Sequence, residues 1–127
     1  MRIGVPREIK VHEYRVGLTP SSVRELAALG HEVLVERGAG AGIGAGEEVY
    51  EKAGARIAAD AAEVFAAADL VVKVKEPQPA EIARLRPGQV LFTYLHLAPD
   101  PEQCKGLLAS GAVCIAYETV TQSGGGL

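Results

Sequence analysis

Six short runs rich in Val, Ile and Leu punctuate this chain, and stretches with helical signals separate most of them. The runs are Arg2-Ile-Gly-Val-Pro6, His31-Glu-Val-Leu-Val-Glu36, a weaker Ala55-Arg-Ile-Ala58, Leu70 through Lys75, Gln89 through Leu95, and Ala112 through Tyr117. Several are continuous apolar stretches. A strand needs no polar alternate positions only when both its faces are covered, so these runs predict an open, mostly parallel sheet. Strands alternating with helices place helices on both faces of that sheet. The fold class expected is therefore α/β, doubly wound, of the Rossmann or flavodoxin-like kind.

The helix signals agree. Thr19 caps and Pro20 opens a helix whose apolar stripe is Val23, Leu26, Ala27 and Leu29, with Gly30 as its stop. A short helix spans about 47–52, and Asp60 with Glu63 forms a capping-box-like start to the next. Asp100-Pro101 opens the last helix, which Gly111 ends. Residues 1–120 read as one unit. The tail from Thr121 to Leu127 is glycine-rich and is expected to be a tether or a truncation point.

With 127 residues the chain can bury a core of its own. Its net charge of −3 excludes the basic footprint that nucleic acid demands. The N-terminus lacks a signal-peptide core and no run is long enough to span a bilayer, so no membrane partner is expected and the cytoplasm is the default location. Cys104 and Cys114 match no zinc or redox spacing and are expected to be reduced, mostly buried thiols, with no metal site.

Gly40-x-Gly42-x-x-Ala45 resembles half of a dinucleotide fingerprint. It follows the second strand rather than the first, and Glu47-Glu48 would repel a pyrophosphate at the next helix start. The expectation is a turning loop that needs glycine for its backbone, and no cofactor-binding residue is assigned in this chain.

Chemistry points instead to the carboxyl ends of the strands, where ligands bind in open parallel sheets. Lys75 ends the fourth run and His96 follows the fifth. Arg15 lies in the long loop after the first strand, and that loop reaches the same edge. An Arg holds a carboxylate through two parallel hydrogen bonds, a Lys polarises a carbonyl oxygen, and a His shuttles protons near neutral pH. Lys73 alternates with Lys75 and is expected on the same face. Tyr94 alternates with His96 and is expected to line the pocket or pack, and Glu118 to support the site or form an ion pair. Together these residues predict a site for a small anion with proton-transfer chemistry.

The same residues carry a resemblance. Met1-Arg-Ile-Gly-Val-Pro-Arg-Glu8, Glu13-Tyr-Arg-Val-Gly-Leu-Thr-Pro20, Val72-Lys-Val-Lys-Glu-Pro77, Leu91-Phe-Thr-Tyr-Leu-His-Leu97 and Ala116-Tyr-Glu-Thr119 are similar to the N-terminal part of alanine dehydrogenase over about residues 1–120. The resemblance implies an NAD-dependent enzyme converting L-alanine, NAD⁺ and water to pyruvate, ammonium and NADH. It implies that Arg15 and Lys75 bind substrate and that His96 is the general acid/base. It implies a hexamer, and a nucleotide-binding domain that this chain lacks, so that residues 1–127 alone are expected to be inactive. Two other readings share the fold: the N-terminal segment of the NAD(P) transhydrogenase α subunit, and a non-catalytic flavodoxin-like binding or assembly module. Lys75 and His96 together favour the dehydrogenase.

Overall fold

The computed structural model describes residues 1–125, so the last two residues of the expected tail lie outside the described residues. Among the described residues six strands form one sheet: β1 (Arg2–Val5), β2 (Glu32–Glu36), β3 (Arg56–Ala58), β4 (Leu70–Val72), β5 (Val90–Thr93) and β6 (Val113–Ala116). Their order is β3-β2-β1-β4-β5-β6, and each neighbouring pair is parallel. The chain runs outward from β1 to β3, then returns to β4 beside β1. The strand order therefore reverses between β1 and β4, and the crevice at their carboxyl ends is the topological switch point.

Among the described residues five α-helices cover the sheet: α1 (Pro20–Ala28), α2 (Glu47–Lys52), α3 (Ala61–Ala67), α4 (Pro79–Ile82) and α5 (Pro101–Ser110). On one face Ile3, Val5, Val33 and Val35 pack with Val23 of α1 and Tyr50 of α2. On the other, Val71 and Leu91 pack with Phe65 of α3 and Leu107 of α5. Burying each such side chain contributes roughly 1.5–3 kcal/mol. The covering is uneven: Val113 and Ile115 on β6 remain 53% and 40% exposed, so one face of that strand is open.

The caps follow the sequence signals. The Thr19 and Asp100 side chains accept from the backbone N–H of Ser22 and Gln103. Asp60 accepts from Glu63 N, but the Glu63 carboxylate turns to Ala59 N and Arg56, so only half of the expected capping box forms.

Two expected strands end early. Pairing in β4 stops at Val72, not Lys75, and in β5 at Thr93, not Leu95. The reason is Glu8. Its buried carboxylate accepts from Val74 N at 3.1 Å and Lys75 N at 2.6 Å. Those donors are thereby withdrawn from the ladder and the backbone bends. The bend also breaks the two-residue alternation, so Lys73 and Lys75 part company. Lys73 turns inward, 3% exposed, with its Nζ 2.5 Å from Glu8 and 3.1 Å from the buried Glu81. Burial pushes the Glu81 carboxyl above its ordinary range, against the pull of Lys73. Gly17 completes the closure, because a Cβ there would sit 2.4 Å from the Val72 carbonyl oxygen. Only glycine lets the β1 loop cross the end of β4 at that separation.

Removing one member of a buried ionic cluster leaves an uncompensated charge, at a cost of about 3–5 kcal/mol. Lys73→Met, which leaves Glu8 and Glu81 facing each other without a cation, is expected to destabilise the fold by that amount in urea unfolding. A loss below about 1 kcal/mol, the value of an exposed pair, would contradict this assignment.

Candidate active site

The loop after β1, the bend after β4 and the exit of β5 meet at one rim. Lys75 is fixed through its backbone at both ends. Glu8 takes its N–H, and the Thr93 hydroxyl donates to its carbonyl at 2.8 Å. Tyr117 donates its hydroxyl to the Val74 carbonyl at 2.7 Å. The Lys75 ammonium is then held over the Tyr94 ring, 5.1 Å from its centroid, close enough for cation–π attraction.

His96 stacks on the same ring, with centroids 5.4 Å apart and planes 15° apart. Its backbone is in the left-handed region, at φ 44°. That conformation costs a non-glycine residue about 1–2 kcal/mol, so something must hold it. Glu118 does: its carboxylate accepts from His96 N at 2.9 Å and Leu95 N at 3.1 Å. Burial raises the Glu118 carboxyl, but the N–H groups of His96, Glu118 itself and Leu95 outweigh it and leave it below its ordinary range. Gln103 completes the support by donating to the Leu95 carbonyl at 2.8 Å.

Arg15 does not present a free fork. Its Nη2 donates to Glu13 Oε1 at 2.6 Å, and its Nε and backbone N both donate to Oε2 at 2.9 Å. Those hydrogen bonds are the main cause holding the Glu13 carboxyl at about 2; the Lys75 charge adds to the shift. Arg15 stays 65% exposed on its outer side, while the Glu13 side chain is 5% exposed.

The glycine stretch serves this loop. Gly40 to Ile43 make a tight turn, and a Cβ at Gly42 would lie 2.1 Å from the Tyr14 carbonyl oxygen. A Cβ at Gly40 would lie 2.5 Å from both Ala45 O and the Tyr50 ring. Both glycines thus serve close packing of the loop backbone. The Glu8 carboxylate lies where the loop after β1 meets the end of β4.

Lys75, His96, Tyr94 and Glu118 are thus brought to one rim, with Glu118 bonding to backbone rather than forming an ion pair, while Arg15 lies on the adjoining loop after β1 with Glu13 as its partner. His31 lies before β2 at the opposite end of the sheet, and His12 pairs with the Tyr14 hydroxyl at 3.3 Å. The thiols of Cys104 and Cys114 are free and half-buried, less covered than their sequence context suggests. Sequence reasoning missed Glu8, Glu13, Lys73, Glu81 and Tyr117. A usable signal existed for Lys73: a Lys between valines in an apolar run needs a buried counterion.

The domain family described as "Alanine dehydrogenase/PNT, N-terminal domain" matches residues 4–126. The chain belongs to that family. It is 58% identical over 127 residues to the alanine dehydrogenase of Halomonas elongata, covering all of this chain and 34% of that protein. It is 55% identical over 122 residues to the alanine dehydrogenase of Bacillus subtilis, covering 96% of this chain and 32% of that one. A solved L-alanine dehydrogenase superposes with a TM-score of 0.93 at 49% identity, over 96% of this chain and 34% of that one. A transhydrogenase from Sinorhizobium meliloti superposes at 0.90 with 31% identity, over 98% of this chain and 37% of that one. The chain spans about a third of the length of the curated relatives it matches. Both solved structures therefore share the backbone fold of this chain.

Glu13 gives a pH test of the rim. Its folded-state value of about 2 lies below the unfolded value near ~4.3. The sign follows from linkage: the contribution is complete above the unfolded value and is lost as pH falls toward 2. Wild type minus Glu13→Gln, compared by urea midpoints at pH 5 and pH 3, is expected to shrink at pH 3. An unchanged difference would show that the Glu13–Arg15 contact contributes nothing to folding.

Proposed function

We propose that this chain is the substrate-binding part of an NAD-dependent L-alanine dehydrogenase, which converts L-alanine, NAD⁺ and water to pyruvate, ammonium and NADH. The observation that carries this reading is one rim where the Lys75 ammonium and the His96 imidazole share the Tyr94 ring, with Arg15 on the loop that adjoins it. Family membership and the dehydrogenases among its relatives support it. NAD is assigned to residues outside this chain.

Each rim residue has a role its geometry suits. Pyruvate carries a carboxylate beside a carbonyl. Lys75, tethered at its backbone and resting on Tyr94, supplies a cation to the carbonyl oxygen as negative charge develops there. The outer N–H groups of Arg15 remain for the carboxylate. His96 gives and takes the proton during water addition to the imine and departure of ammonia. Tyr94 sets the plane of the imidazole by stacking, and Glu118 holds the turn that presents it. We place the assembled enzyme in the cytoplasm as a hexamer, in keeping with the family.

The transhydrogenase reading gives Lys75 and His96 no task at this rim, which weighs against it. The assay follows NADH formation from L-alanine and NAD⁺ by the protein at its full natural length. Turnover is expected. His96→Ala is expected to lower kcat by about 10²–10⁴-fold, the usual loss of a general acid/base, and Lys75→Ala to raise KM for pyruvate and lower kcat together. Hydride exchange between NAD(H) and NADP(H) with no alanine-dependent turnover would contradict the proposal.

A further inference from the structure

Past the paired end of β4, the backbone beside Lys75 is held more by side chains than by strand pairing. The last paired residues in the β4–β5 ladder are Val72 and Phe92. Beyond them the Lys73 N–H still reaches the Phe92 carbonyl at 3.1 Å. The Tyr94 N–H reaches the Val74 carbonyl only at 3.4 Å, longer than an ordinary N–H···O bond. The closer tie to that carbonyl comes from a third element: the Tyr117 hydroxyl, just after β6, donates to it at 2.7 Å. Burial raises the Tyr117 phenol above its ordinary range, so the hydroxyl keeps the proton it donates. Glu8 therefore holds the N–H groups of Val74 and Lys75, Thr93 holds the Lys75 carbonyl, and Tyr117 holds the Val74 carbonyl.

Tyr117 also meets the ring on which the ammonium rests. Its ring centroid lies 6.2 Å from that of Tyr94 and 5.7 Å from that of Phe92. It opens a short turn, Tyr117–Thr119, closed by the Thr119 hydroxyl on the Ala116 carbonyl at 2.8 Å and by Val120 N on the Tyr117 carbonyl at 3.2 Å. The next residue of that turn is Glu118, which holds the N–H groups of Leu95 and His96. One turn thus anchors the Lys75 arm through Tyr117 and the His96 arm through Glu118. We propose that Tyr117 is a positioning residue for Lys75: its hydroxyl fixes where the ammonium stands over the Tyr94 ring, and so where a substrate carbonyl oxygen meets it. This rests on the reading of the rim as a 2-oxo-acid site. Recognition of the carboxylate, placed at Arg15 on another loop, does not depend on it.

The test uses the full-length enzyme with NADH, and two competitive inhibitors against pyruvate. Oxamate carries a carboxylate beside a carbonyl; propionate carries the carboxylate alone. Wild type is expected to bind oxamate more tightly. Tyr117→Phe keeps the ring and removes the hydroxyl, and the Val74 carbonyl keeps its longer bond from Tyr94 N. The substitution is expected to weaken oxamate by about five- to tenfold, the worth of one hydrogen bond, with propionate changing by less than about twofold. It is expected to lower kcat at saturating pyruvate by about tenfold, as a misplaced polarising group would. Inhibition constants read only folded enzyme, so a loss of stability alone leaves their ratio unmoved. An unchanged oxamate-to-propionate ratio, or equal weakening of both, would overturn the proposal, leaving Tyr117 a packing residue and the 2-oxo-acid site standing. If oxamate does not compete with pyruvate in wild type, the 2-oxo-acid reading itself fails and this proposal with it.

Discussion

Three residues past the end of β1, the chain folds the Glu8 carboxylate back into the crevice beside β4. There it meets the Lys73 ammonium and two consecutive backbone N–H groups, those of Val74 and Lys75. One carboxylate thereby ends a strand, neutralises a buried cation and fixes the residue that follows. Without it, β4 would continue its ladder and Lys75 would follow strand alternation. Isolated burial of any of these charges would be prohibitive. Their mutual burial makes the arrangement stable and tolerant of few alternatives.

The rim inherits its geometry from that bend. Lys75 reaches Tyr94 because Glu8 and Thr93 hold its backbone from two sides. His96 reaches the same ring because Glu118 and Gln103 hold a left-handed turn after β5. Two separate carboxylates, Glu8 and Glu118, thus do the same job: each captures a pair of backbone N–H groups just beyond a strand and aims a titratable side chain. The glycine turn at 40–43 supports the third arm by letting the Arg15 loop sit against it. At the switch point of this sheet the chain's own Glu8 bridges the loop after β1 and the end of β4, and Lys75 and His96 stand at the neighbouring strand exits.

The layout of strands and helices was legible in the sequence because buried parallel strands and capped helices have local signatures. The residues at the rim were legible for the same reason: Lys75 and His96 follow apolar runs, and Arg15 lies in a long loop. What pairs with what was not. The Glu13 contact with Arg15 depends on a local loop shape with no periodic signal. The Glu8–Lys73–Glu81 cluster joins residues more than sixty positions apart in sequence, apart from the closer Lys73 and Glu81. The strand ends at Val72 and Thr93 were misplaced because hydropathy continues where hydrogen bonding stops. The covering of β6 was overestimated, since an apolar run reports which residues prefer burial but not whether a helix is present to cover them.

The central claim is that this rim binds a small 2-oxo acid through Arg15 and Lys75 with His96 beside it. The most direct measurement is a crystal structure of the full-length protein with pyruvate at saturating concentration. The account predicts the pyruvate carboxylate on the Arg15 guanidinium, and its carbonyl oxygen within hydrogen-bonding distance of the Lys75 ammonium or the His96 ring. Pyruvate bound elsewhere, with this rim empty, would contradict it.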